Sequence, residues 1–339
     1  MLLSFEQVIA QANKPRLLLG NGFSMALDQK RFSFTSLLDS AVQWGIIDSD
    51  SPVYKVFQLL QTADFESVMK ALEHTGWILD IYDSKNTLSW IIQTDNEGLK
   101  SHLVKVITNN HPLNSAEIEK EKKIACLEFL KNFEIIYTLN YDLLLYWVIM
   151  MEEGEKKTWG DGFWETEESS HEWFVVYRNS KSFHLHFLHG ALHIFDAGDE
   201  IIKKTYSKTG VDLVTQIKEN LENNLYPVFV SEWDSREKMK KILHNGYLNH
   251  CYRSIWSIGW DLVIFGTYLK QNDDHILDAV CSSGVKNIFI GVSREENVAH
   301  IQERVKEYNS RQKETKKHKI LHLYDYNTIN PWEYGLSQN

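Results

Sequence analysis

Apolar residues in this chain follow two patterns, short continuous runs and positions spaced three or four residues apart. Short runs bounded by glycine or polar residues are typical of buried strands, and the wider spacing is typical of amphipathic helices. Six segments fit strands and are separated by segments that fit helices: 16–19, 133–138, 183–188, 261–265, 286–290 and 319–324. This alternation predicts an α/β fold, a Rossmann-like, doubly wound parallel sheet with helices on both faces.

A long helical region separates the first two predicted strands. Apolar residues recur at helical spacing through 34–44, 53–60, 65–79 and 90–107. A doubly wound fold needs only one crossover helix at this point. The segment of about 34–131 is therefore predicted to be an inserted helical layer that covers a site or contacts a partner. We predict one domain over 1–339, with a nucleotide-binding core formed by 14–30 and 132–325.

Further predictions concern segments that lie outside this alternation of strands and helices. The stretch 152–173 is rich in Glu and Trp and is predicted to be an exposed loop, with a lid or a partner surface as the alternative. A small strand is predicted at 174–177 and another at 226–230. The stretch 201–223 is polar, and only its second half fits a helix.

The first predicted strand ends in Gly20-Asn21-Gly22-Phe23-Ser24. Glycine can adopt backbone angles that are closed to residues with a Cβ, and Ser24 reads as the start of a helix. A strand, a glycine turn and a helix N-terminus together offer N–H groups to a pyrophosphate. A tight turn without a ligand explains the same residues, because the full G-x-G-x-x-G spacing is absent.

Polar residues and glycines also follow the later predicted strands. They form four groups: Asn140-Tyr141-Asp142, His189-Gly190, Gly266-Thr267 and Gly291-Val292-Ser293. Ligands of parallel sheets bind beyond the carboxyl ends of the strands, so these groups are predicted to converge on one edge.

Each of these groups has a structural alternative. Asn140 to Asp142 can cap a helix, and Gly266-Thr267 can be a plain turn. His189 belongs to a run that also holds His186, so it can be an ordinary strand residue. His186 and His193 can pair as metal ligands, but no carboxylate spacing supports such a site.

Composition narrows the function classes. The net charge is −10, which argues against a general surface for nucleic acid. The three cysteines, Cys126, Cys251 and Cys281, form no C-x-x-C pair, so a structural zinc module is not expected and a reducing compartment is favoured. Neither a secretory signal nor a membrane-spanning apolar stretch is recognised. We therefore expect a soluble, cytoplasmic protein.

The motifs and their order resemble the sirtuin family, and more closely the sirtuin-like NAD-cleaving domains of bacterial antiphage defence systems. Five segments carry the resemblance, from a glycine-rich phosphate loop through a T-x-N-x-D segment and a His-Gly pair to two later strand ends: 20–24, 138–142, 188–190, 265–267 and 290–293. Individually the motifs are short, and their order at successive strand ends makes the combination more specific.

The resemblance implies that the chain is an NAD+ hydrolase that breaks the nicotinamide–ribose bond. It implies that the loop Gly20 to Ser24, including Phe23, binds the diphosphate. Asn140 then orients a water or the ribose, His189 acts as general base, and Asp142 orients nicotinamide or stabilises positive charge. The remaining residues implied to contact the nucleotide are Tyr141, Gly266, Thr267, Gly291 and Ser293.

Two departures from the sirtuin pattern matter. The zinc-binding cysteine quartet of deacylase sirtuins is missing, and Asn21 stands at the middle position of the phosphate loop. These departures put lysine deacylation in doubt and favour hydrolysis of NAD itself, with no zinc and no cofactor beyond NAD as the substrate.

Uncontrolled NAD hydrolysis would harm the cell that makes the enzyme. We therefore expect gating by a regulatory protein encoded nearby or by homo-oligomer formation, as in an abortive infection response. The alternative is a module that senses NAD or a related nucleotide without catalysis. Contact with a membrane or direct binding of nucleic acid is not expected.

Overall fold

A computed structural model describes nine ranges of the chain: residues 2–82, 87–151, 159–165, 174–178, 183–223, 225–231, 234–293, 298–314 and 317–336. Within these ranges, none of the helices has the length and apolar character needed to cross a lipid bilayer.

A six-stranded parallel sheet forms the centre of the molecule. Its strands are β1 (Arg16–Leu19), β2 (Ile136–Thr138), β5 (Leu185–Phe187), β9 (Gly259–Phe265), β10 (Gly284–Val292) and β11 (Ile320–Asp325). Their spatial order is β11-β10-β9-β1-β2-β5, and every neighbouring pair is parallel. Counted along the chain, this is the order 3-2-1-4-5-6 of doubly wound sheets. The α/β fold and all six predicted strands are confirmed, and the arrangement is compatible with a Rossmann-like fold.

β1 lies at the middle of this sheet because its residues tolerate burial on both faces. Leu17, Leu18 and Leu19 are buried, and they pair with β2 on one side and with β9 on the other. Fully apolar strands are typical of parallel sheets that are covered on both faces. The strand order reverses between β1 and β9, and the cleft at such a reversal is where ligands of these sheets bind.

Fifteen helices accompany the sheets within the described residues. They are α1 (Phe5–Gln11), α2 (Gly22–Leu27), α3 (Gln29–Phe32), α4 (Phe34–Gln43), α5 (Pro52–Leu59), α6 (Phe65–Tyr82), α7 (Thr87–Asn110), α8 (Lys120–Leu130), α9 (Leu144–Ile149), α10 (Tyr206–Thr209), α11 (Leu213–Glu222), α12 (Ser235–His244), α13 (Gly246–Ser257), α14 (Asp274–Ser282) and α15 (Ala299–Arg311). Short 3₁₀ helices also occur, among them Gln271–Asp273 and Pro331–Glu333.

The helices between β1 and β2 form a layer in which α4 to α7 share an apolar core of their own. Leu37, Phe57, Phe65, Met69 and Leu103 are among its buried members. α6 and α7 pack along each other as a long hairpin within this layer. The segment of about 34–131 contains the helices α4 to α8.

A second, antiparallel sheet was not predicted. Its strands are β3 (Phe163–Trp164), β4 (Phe174–Tyr177), β6 (Gly190–Asp196), β7 (Ile201–Lys204) and β8 (Pro227–Phe229). They lie in the order β3-β4-β7-β6-β8. The expected small strands at 174–177 and 226–230 are present, but they belong to this sheet. The first part of 201–223, for which the sequence predicts no helix, contains β7.

The described part of 152–173 corrects the prediction of an exposed loop. Trp159, Asp161 and Phe163 are all buried, and the Trp159 ring N–H donates to the carbonyl of Phe133. Asp161 pairs with Lys203 of β7. Residues 152–158 and 166–173 lie outside the described residues.

Candidate functional site

A cavity of about 470 Å³ lies at the carboxyl ends of β1, β2 and β9. The loops that follow these strands form part of its lining, and helices of the inserted layer form another part through Phe32, Leu37, Glu66, Leu103 and Ile107. All predicted site residues except Phe23 and Ser24 line it: Gly20, Asn21, Gly22, Asn140, Tyr141, Asp142, His189, Gly266, Thr267, Gly291 and Ser293.

The glycine turn is fastened to the neighbouring strand end. The N–H of Gly20 donates to the carbonyl of Phe265, and the N–H of Gly22 donates to the carbonyl of Gly266, both at 2.9 Å. A Cβ on Gly22 would lie 2.5 Å from the Cα of Gly266, which itself has a φ of +77°. Close packing of two backbones therefore requires these glycines. Of the three N–H groups at 20–22, only that of Asn21 has no acceptor within the described residues.

Three residues of the predicted diphosphate loop make contacts that differ from the prediction. They are Asn21, Phe23 and Ser24. The Asn21 side chain donates to the carbonyl of Phe32 at 2.9 Å, so it ties the turn to the helical layer. The Phe23 ring is fully buried against the Trp332 ring, at 5.0 Å between centroids. Ser24 does not start a helix, because α2 begins at Gly22 and Ser24 lies inside it. Phe23 and Ser24 support the site from behind instead of lining the cavity.

Ser24 connects the turn to the segment that follows β2. The Asn140 side-chain N–H donates to the Ser24 hydroxyl at 2.8 Å, and that hydroxyl donates to Asp142. The other Asp142 oxygen accepts the N–H of Leu144 at the start of α9. The N-cap position of this helix is occupied by Leu143, so Asp142 is not the helix cap. Burial raises the pKa of Asp142, while the Ser24 hydrogen bond opposes this rise. The Asn140 amide oxygen has no hydrogen-bond partner within the described residues.

His189 faces a second buried histidine. Its Nε2 lies 3.1 Å from Nε2 of His275, and Nδ1 of His275 lies 3.2 Å from the Ser235 hydroxyl. Burial lowers the pKa of both imidazoles well below the usual range, and the Lys238 ammonium adds to the effect at His189. His189 is only 3% exposed, and Nδ1 is the ring nitrogen that His275 does not engage. Gly190 follows with a φ of +84° and turns the chain into β6.

A buried lysine joins the helical layer to this part of the cavity. Nζ of Lys238 on α12 lies 3.1 Å from a Glu66 oxygen on α6 and 3.0 Å from Asp273 Oδ1. Asn272 also donates to Glu66 at 2.9 Å. Burial alone would lower the pKa of Lys238, but the two carboxylates raise it, so the ammonium stays charged. Burial raises the pKa of Glu66.

Three side chains near the cavity can approach one metal ion. Ligand atoms of His189, His275 and Asp273 all lie within 4.8 Å of one another, and within the described residues no other such group occurs. The neutral histidines suit a metal, but the Lys238 ammonium already neutralises Asp273. The considered pair His186 and His193 is not part of this group.

The last predicted contacts sit at the ends of β9 and β10. A Cβ on Gly291 would lie 2.7 Å from the Tyr324 ring, so the ring requires glycine there. The Ser293 and Tyr268 hydroxyls are 2.9 Å apart at the exposed rim. The Thr267 hydroxyl accepts a backbone N–H two residues further on. These residues outline the β10 side of the cavity.

The sequence analysis did not identify five residues of the site, which include its charged side chains and the second histidine. They are Glu66, Ser235, Lys238, Asp273 and His275. These residues come from helices and a 3₁₀ turn, not from strand ends. One signal was available for Lys238, since it shares the buried face of α12 with Ile242. A lysine on an apolar face indicates a buried partner.

A family model described as "Domain of unknown function (DUF4917)" matches residues 17–332, which is most of the chain. The match begins in β1 and ends in the 3₁₀ helix Pro331–Glu333, so it spans both sheets, the helical layer and the cavity. No curated protein matches the chain.

Proposed function

The chain belongs to the DUF4917 family, and we propose that it is an NAD+ glycohydrolase that releases nicotinamide and ADP-ribose. In this proposal the fold is a sirtuin-like variant of the α/β class, and the protein acts in antiphage defence. We also propose a cytoplasmic location, in keeping with three cysteines that are all free and buried.

One observation carries the proposal. Asn140 and His189 come from different strand ends, and both line the same cavity as the Gly20 to Gly22 turn. The cavity lies at the reversal of strand order, where parallel sheets bind nucleotides. Its volume of about 470 Å³ is in the range of small-molecule sites. This combination supports a nucleotide substrate with a reacting bond near the amide and the imidazole.

The proposed reaction needs an oriented water and a base. Water oxygen bonds to ribose C1 as the C1–nicotinamide bond breaks, and the bonding electron pair leaves with nicotinamide. The Asn140 amide oxygen accepts from that water, and Nδ1 of His189 takes its proton. His189 is neutral before the reaction because burial lowers its pKa. Nε2–H of His189 then donates to His275, whose Nδ1–H donates to Ser235.

The glycine turn contributes less directly than an open phosphate loop would. The N–H groups of Gly20 and Gly22 hold Phe265 and Gly266, so Asn21 N–H is the group left for a diphosphate oxygen. Gly20 and Gly22 have no side chain that would keep a ligand away from the backbone. Asp142 acts here by holding Ser24, and through it Asn140, in place.

The second candidate is a nucleotide-sensing module without turnover. The tie between Asn21 and the helical layer favours it, because a ligand on the turn would contact a residue that anchors α3. Gating by a neighbouring gene product or by homo-oligomer formation fits either candidate, because the helical layer forms part of the cavity lining. Lysine deacylation remains the weakest candidate, and no zinc cofactor is part of the proposal.

The test measures nicotinamide release and NAD affinity with the purified chain, alone and with its neighbouring gene product. Changing His189→Ala or Asn140→Ala should reduce release by about 10²–10⁴-fold, while NAD still binds. His186→Ala is the matched control, because His186 is equally buried but stacks on Tyr137 at 4.7 Å. Wild-type turnover in both site variants would refute the catalytic roles. Binding without release under every condition would favour the sensing module.

A further inference from the structure

The outer end of the α6–α7 hairpin exposes large apolar side chains. The buried face of α6 ends at Gly76, and beyond it the last turns carry exposed residues. The first turns of α7 add further exposed residues. We call these side chains the hairpin patch: Trp77, Ile78, Ile81, Tyr82, Trp90 and Ile91.

The area of the hairpin patch suits one side of a stable protein interface. Its six side chains are between 43% and 85% exposed. With roughly 150–250 Å² for each large side chain, these fractions amount to on the order of 700 Å². One partner buries about 800 Å² in a standard stable interface. Apolar patches of this size are uncommon on monomers and mark contact surfaces.

The charge distribution indicates what kind of partner fits. Among the described residues 77–82 and 87–94, Asp80 is the only charged one. The described part of this hairpin end therefore has no charge pattern that would recognise a basic or acidic partner. Two copies of a chain with net charge −10 repel each other overall. An apolar patch of low charge is the place where they can meet.

We propose that the hairpin patch is the interface of a homodimer formed by two copies of this chain. Two antiparallel helices from each copy would pack about a two-fold axis, so that each patch covers the same patch of the other copy. The proposal rests on exposed area and charge alone, and it does not depend on NAD hydrolysis.

The experiment measures the mass of the full chain in solution by light scattering and sedimentation between about 1 and 50 µM. We expect twice the chain mass of 39.6 kDa, with dimers favoured by added salt because like charges are screened. The double variant Ile81→Glu with Trp90→Glu should weaken association by roughly a hundredfold or more. Trp256→Glu is the matched control, because Trp256 is 50% exposed but lies on α13 outside the patch.

Circular dichroism of each variant checks that its fold is kept, since both changes fall on exposed positions. A wild type that stays monomeric across this concentration range would overturn the proposal, even if the patch binds a different protein. Dimers that persist in the folded double variant would also overturn it. Because no readout uses NAD, a failure of the proposed function leaves this test unaffected.

Discussion

Removal of the Lys238 charge is the sharpest test of the charged part of the site. In Lys238→Met, the side chain keeps a similar length and loses the ammonium that lies between Glu66 and Asp273. The two carboxylates then remain beside each other without a counter-ion. Breaking a buried ion pair by removal of one partner destabilises a protein by about 3–5 kcal/mol. We expect a loss of this size in the free energy of unfolding, measured with urea at pH 8.

The same variant should show a characteristic pH dependence. With the lysine removed, one carboxylate has a pKa in the folded chain that lies above its value in the unfolded chain. The folded state then binds more protons than the unfolded state, so stability falls as the pH rises. The deficit of Lys238→Met relative to wild type should therefore shrink between pH 8 and pH 5.

Two further variants separate this explanation from a general packing defect. Lys203→Met removes a buried ammonium from its Asp161 partner in the second sheet and should cost a similar amount, without any effect on NAD affinity. Glu66→Gln combined with Lys238→Met should recover part of the loss, because one uncompensated charge is gone. A loss below about 1 kcal/mol, or strict additivity in the double variant, would show that the lysine is not paired as described.

Three other predictions follow from described contacts. Burial lowers the pKa of His111 to about 4, and its Nε2 accepts the N–H of Leu143, so this histidine alone should lower the free energy of unfolding below about pH 6.5 by up to about 1.4 kcal/mol per pH unit, in addition to the like effect of the buried His189 and His275, as urea unfolding can measure. Gly22→Ala should lower the melting temperature, whereas Gly98→Ala, where a Cβ meets no atom within 4 Å, should leave it unchanged or raise it. His275→Phe should reduce nicotinamide release by about tenfold or more and shift its pH profile, with KM unchanged; an unaltered profile would exclude the role given to this histidine.

The centre of the sheet could be predicted because β1 and the second half of β9 are apolar on both faces. Runs such as Leu17 to Leu19 and Leu262 to Phe265 have no amphipathic alternative, and their glycine ends mark the turns. The second sheet could not be predicted in the same way. β7 carries Lys203, which is buried only because Asp161 from a distant segment pairs with it. The local pattern of apolar and polar residues cannot reveal a pairing between segments that are distant in sequence.

The candidate site, like the fold, could be predicted only in part. The strand-end residues Asn140 and His189 were predicted to lie together, and they line one cavity. The glycines were interpreted as a phosphate turn, but the contact between Gly22 and Gly266 gives a sufficient structural reason for both. Partners contributed by helices, such as His275, depend on packing between elements far apart in sequence.

The two ends of helix α6 lie in different parts of the molecule. Glu66 in its first turn holds Lys238 at the cavity, and Trp77, Ile78, Ile81 and Tyr82 in its last turns belong to the hairpin patch. Its 18 residues span about 27 Å. A tilt of about 5° over that length moves one end by about 2 Å, which is enough to break a hydrogen bond. A partner that tilted the helix at the patch would therefore strain the ion pair between Glu66 of α6 and Lys238 of α12.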